Sequence, residues 1–161
     1  MSFDLSPKEY LTMVEEAYGE FQANELSLRH LIACCTFANH LPEIIFATYA
    51  TNDVIKLHGN TSKDTYRAYA IGLCPEIGSV RDLCDFGKHG PTLHRRNVQV
   101  ATTGKQNTPV LDTMSLIAGV PNHIMTDKLV ITLIDGKEKF ADYVVGEVVE
   151  FWRRTFTADN L

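Results

Sequence analysis

The sequence predicts a mainly helical α+β fold: an up-and-down bundle of about four to five helices, with a small antiparallel β-sheet inserted before the last one. Three observations predict it. Apolar residues recur at helical spacing from Leu11 to Cys84 and again from Val144 to Phe156. Between about 93 and 139 the pattern changes to alternation and β-rich runs. The pairs Gly90-Pro91 and Asp135-Gly136 punctuate that region as stop and turn. At 161 residues, 45% hydrophobic and 22% charged, the chain is long enough to bury a core, and residues 1–161 read as a single domain.

The first helix starts at a capping box. Ser6 caps, Pro7 takes the first helical position and Glu9 reaches back, while Leu5 and Tyr10 occupy the positions of a hydrophobic staple. Leu11, Val14, Tyr18 and Phe21 form its apolar stripe. The second helix, about 25–51, is apolar almost all round, which predicts a central, buried position. One polar stripe runs along it through Arg29, Thr36, His40 and Glu43, and Pro42 interrupts its hydrogen bonding. A third helix spans about 63–73. A fourth runs from Pro75 to His89, with Ile77, Val80, Leu83, Cys84 and Gly87 on its core face and Gly78, Asp82, Asp85 and His89 opposite.

Residues 94–103 alternate as a strand, with Val98 and Val100 on one side, and 128–134 form a second strand that ends in a turn. The long connection between them is expected to hide an element, such as a short helix near 110–118. The last helix runs from about 140 to 156, with Val144, Val148, Phe151, Trp152 and Phe156 inward.

A net charge of −5 argues against a protein that coats nucleic acid through a broad basic surface, although a local basic patch remains compatible with it. The start MSFDLSPKEY lacks a basic region and an apolar run, and the apolar stretches are broken by polar residues. No signal peptide and no membrane association are therefore expected. The four cysteines, Cys34, Cys35, Cys74 and Cys84, form no Cys-x-x-Cys pair. They read as buried small hydrophobes in a reducing, cytoplasmic setting.

Chemistry concentrates between Arg81 and Arg96. Asp82, Asp85 and His89 stack on one helix face, where they can hold a metal, orient His89 as a base, or serve as a solvated face. Phe86 on the same side fits a subunit contact better than bare solvent. His40 and Glu43 break a buried helix. They read either as a hydrogen-bonded network that receives an arginine, or as a metal site with Asp82 and His89 if the second and fourth helices are neighbours. In the latter case the cofactor is a divalent metal. His94, Arg95 and Arg96 follow Lys88 and His89; they suit a phosphate grip or a charge-guarded strand edge. His30, His58 and His123 stand isolated in sequence, and Arg153 and Arg154 match the dipole of the last helix.

The segments His40-Leu41-x-Glu43 and Asp82-x-x-Asp85-x-x-Lys88-His89, in this layout, resemble those of a group of uncharacterised bacterial proteins. More distantly, the chain resembles the HEPN superfamily, which includes ribonucleases. That resemblance implies a homodimer and metal-independent cleavage of RNA, with His89 as base and Arg81, Lys88 or Arg95 on phosphate. HEPN enzymes place four to six residues between their arginine and histidine. Here seven separate Arg81 from His89, turning Arg81 about 80° away on an ideal helix. The leading expectation is a non-catalytic, homodimeric interaction or regulatory module that uses Asp82, Asp85, Phe86, Arg95 and Arg96. The alternatives are the HEPN-like ribonuclease and a metal-binding bundle.

Overall fold

A capping box opens the chain's first helix, as its sequence predicts. In the computed structural model, which describes residues 5–89, 99–111 and 123–161, Ser6 Oγ accepts from Glu9 N at 3.2 Å. Glu9 Oε2 accepts from Ser6 N at 2.9 Å. Helix α1 then spans Pro7–Gln22 and buries Leu11, Val14, Ala17 and Phe21. Helix α2 spans Leu28–Tyr49. It starts three residues later than expected because Ser27, not Glu25, caps it through His30 N. A 3₁₀ turn, Val54–Leu57, leads to α3, Lys63–Leu73, which is capped by Ser62 and Thr65. Helix α4 spans Glu76–His89.

The sheet is larger than expected. Strand β1 is Val100–Leu111 and pairs antiparallel with β2, His123–Leu133; β2 pairs with β3, Glu138–Phe140. The expected strand at 94–103 therefore begins at Val100, and residues 94–98 lie outside the described ones. The short helix expected near 110–118 is corrected at its start, where Val110 and Leu111 belong to β1; residues 112–118 lie outside the described ones. Phe140 closes β3, so the last helix, α5, runs from Ala141 to Asp159. The Asp135-Gly136 pair makes the turn into β3, with Gly136 at φ 82°. A register shift between Val100 and Thr102 bulges the base of β1.

The order is thus a mainly helical α+β bundle with a three-stranded antiparallel sheet before its last helix. Helix α2 is its axis and contacts α1, α3, α4 and α5. By length and composition alone α2 also satisfies the requirements of a membrane-crossing helix, which the broken apolar runs had not suggested. Its packing explains the composition: Leu31, Cys34, Cys35, Ala38, Leu41 and Ile45 are all fully enclosed. Ionic contacts join the layers. Lys128 of β2 bridges Glu25 at 2.8 Å and Asp142 at 3.1 Å, and Lys139 of β3 reaches Glu76 of α4 at 2.7 Å.

Helices α2 and α4 meet closely at Gly87. A Cβ there would lie 2.3 Å from Ile32 Cγ2, an atom on a β-branched side chain with little freedom to move away. Gly87→Ala should therefore destabilise the fold by about 1–3 kcal/mol despite alanine's better helix propensity. Urea unfolding would measure this, and an unchanged or raised midpoint would contradict the close packing.

Candidate functional site

Helix α4 is flanked by α2 on one side and by the base of β1 on the other. This second neighbour changes the meaning of the acid face. Asp82 is fully buried and does not sit on a solvated surface. Its Oδ2 accepts from Val100 N at 3.0 Å and from Gln99 N as well. Ser79, one turn earlier, donates to Gln99 Oε1 at 3.3 Å. Arg81 is also mostly covered, with Nε 3.6 Å from Asp82 Oδ1. Asp85 is half-buried on the next turn, and Phe86 packs against the edge of the core.

The polar stripe of α2 goes elsewhere. Glu43 Oε1 accepts from Arg67 of α3, in a short ion pair. His40 Nδ1 lies 3.6 Å from Glu43 Oε2, and Lys88 of α4 donates to His40 Nε2 at 3.1 Å. A lysine has only donors, so the ring nitrogen facing it accepts, and the ring proton sits on Nδ1, toward Glu43. The chain Lys88–His40–Glu43–Arg67 thus joins three helices. It is the arginine-receiving network expected for this stripe; the arginine is Arg67, while Arg29 is exposed.

Helices α2 and α4 are neighbours, as a shared metal site would require. Their polar groups nonetheless diverge: Asp82 serves the β1 backbone, and His40 and Glu43 face Lys88 and Arg67. Among the described residues, no three His, Cys, Asp or Glu side chains group so as to hold a metal ion. His89 ends α4, but its side chain lies outside the described residues, as do His94, Arg95 and Arg96.

No family model, curated protein or solved structure matches the chain.

All four cysteines are free and buried. Burial pushes the Cys34 thiol up to about 12 and the Cys74 thiol to about 11, which makes both poor nucleophiles. One pairing escaped the sequence altogether. His58 Nε2 lies 2.7 Å from Asp159 Oδ2, across 101 positions of chain, and the imidazole stacks on Tyr69. Arg153, expected only to match a helix dipole, pairs with Glu15 of α1 at 2.6 Å.

The α2 cluster carries a pH dependence. Burial raises the Glu43 carboxyl, but the hydrogen bond and charge of Arg67, with the charge of Lys63, outweigh it and hold the group below its ordinary value. A depressed folded-state value stabilises the fold above the unfolded value, about 4.3, and this contribution is lost as pH falls through the folded value. Arg67→Ala should therefore lower stability near neutral pH, with the gap to the parent closing in strong acid. Urea midpoints across that range test this; a gap that widens on acidification would reverse the sign.

Proposed function

We propose that the protein is a non-catalytic interaction module acting as a homodimer, with the groove between α2, α4 and β1 as its docking surface. The observation that supports this is the groove itself. It has a volume of about 310 Å³ and is lined by Leu28, Ile32, Phe86, Gly87, Ala101 and Thr103. Leu28 stands 48% exposed at its edge. Phe86, the apolar residue on an acid-rich face, forms part of its wall, and an apolar wall is what a partner side chain fills.

The other wall is β1, the outer strand of the sheet, whose far edge has no paired strand among the described residues. Such an edge presents N–H and C=O groups that a second copy can pair antiparallel across a two-fold axis, each chain contributing the same surface. A second copy thus meets both the apolar and the backbone demands of the groove. Three of the acid and histidine residues have structural uses: Asp82 fastens β1, and Glu43 and His40 link helices.

Sedimentation of the purified chain should show a dimer, and Phe86→Asp should give a folded monomer with an unchanged circular dichroism spectrum. A parent chain that stays monomeric at high micromolar concentration would overturn the proposal. RNA cleavage that survives chelation and disappears in His89→Ala would favour the HEPN-like ribonuclease instead.

A further inference from the structure

The face of the sheet turned away from Leu129 and Ile131 carries a cleft of its own, apart from the groove between α2, α4 and the base of β1. Strand register places its parts. Val130 of β2 pairs with Gly104 on one side and Phe140 on the other, and Glu138 shares the face of Phe140 two residues earlier. Gln106 and Thr108 of β1 line the same cleft, as does Tyr143 from the first turn of α5. Val130 is its floor: buried, yet outside the core cluster of the bundle. Gly104 places no side chain beside that floor, and nothing lies within 4 Å of where its Cβ would stand. The volume is about 490 Å³, inside the ~300–1,000 Å³ range of small-molecule sites. We propose that this cleft binds a quaternary ammonium ion of the choline type, with the cationic head against Phe140 and Tyr143 and beside Glu138, and its hydroxyl on Gln106 or Thr108.

The rings are available. Phe140 is 37% and Tyr143 52% exposed. The ring stacking and the cation–π contact among the described residues all involve other side chains. An aromatic face attracts a cation through its quadrupole.

The charges around the cleft select a cation. Glu138 is exposed and makes no hydrogen bond or ion pair among the described residues. Lys139 also lines the cleft, but its ammonium is held by Glu76 at 2.7 Å. Lys128, opposite Gln106 in the register, is held between Glu25 at 2.8 Å and Asp142 at 3.1 Å, two acids around one cation. The unbalanced charge here is therefore negative. A primary ammonium brings three N–H donors, each in need of an acceptor, to a cleft that offers one carboxylate between rings. A quaternary ammonium has no N–H to leave unpaired. The Gln106 and Thr108 side chains make no hydrogen bond among the described residues, so both can serve a ligand hydroxyl.

Choline, ethanolamine and 3,3-dimethylbutanol, the uncharged isostere of choline, are titrated into the intact protein while the backbone ¹H–¹⁵N signals of Val130, Phe140 and Tyr143 are followed. Choline should shift them saturably in the millimolar range, and the other two should bind at least about tenfold more weakly. Glu138→Gln and Tyr143→Ala alter exposed side chains. The first should erase most of the preference for choline over the uncharged isostere, and the second should weaken choline itself. Gly104→Leu should fill the space beside Val130 and abolish binding with the rest of the spectrum unchanged. Signals that stay still in choline at tens of millimolar would overturn the proposal. So would ethanolamine or dimethylbutanol binding as tightly as choline, or choline binding that is the same in all three variants.

Discussion

Asp82→Ala should cost about 3–5 kcal/mol of stability, as expected when one partner of a buried, charge-assisted contact is removed. The Asp82 carboxylate is wholly buried and accepts the N–H groups of Gln99 and Val100. Truncation leaves both donors without their acceptor at the point where the sheet joins the bundle, and each buried, unsatisfied group carries its own desolvation penalty. It also leaves the adjacent Arg81, whose Nε lies 3.6 Å from Asp82, facing a small cavity. Asp82→Asn keeps an oxygen acceptor and the side-chain volume but loses the charge, so its loss should be smaller, about 1–3 kcal/mol. Urea unfolding followed by circular dichroism would order the three proteins. An alanine variant within about 1 kcal/mol of the parent would mean that the strand is held by something other than this carboxylate.

That role explains where the sequence was legible and where it was not. The Ser6-Pro7-Glu9 box, the stripe on α1 and the apolar girth of α2 depend on local geometry, so the helices were readable to within a few residues. Helix α4 was read as having one buried face. It has two, because β1 covers Asp82 from the side that a helical wheel assigns to water. A wheel shows which residues share a face and is silent on whether a distant strand lies over it. Phe86 was the local sign that the face is not bare.

Strand β1 was read too short for a related reason. Its outer half, Gly104–Thr108 with Asn107 bonded to Asp127, is largely exposed, so no face selects apolar residues and no alternation appears. The His58–Asp159 pair was invisible because its halves, one just after the 3₁₀ turn and the other at the end of α5, meet only in the folded chain. The Arg67–Glu43 pair was half legible: a carboxylate on a buried helix asks for a cation, but the sequence does not say which helix supplies it.

Trp152→Ala should also cost about 3–5 kcal/mol. The side chain is the largest of the fully buried ones and lies edge-on to Phe151, with ring centroids 4.9 Å apart. It sits on α5, which packs against α1, α2 and α4, so a cavity there loosens the contacts through which the last helix closes the bundle. In a chain of this size each kcal/mol lowers the melting temperature by roughly 2–4 °C, so calorimetry would resolve the loss easily. Trp152→Phe separates two contributions. It removes less volume, and it also removes an indole N–H that has no acceptor among the described residues. The relief of that unpaired donor offsets part of the packing loss, so phenylalanine should cost no more than about 1–2 kcal/mol. If phenylalanine proved as damaging as alanine, the indole N–H would have to be satisfied in solution, by bound water or by the protein itself.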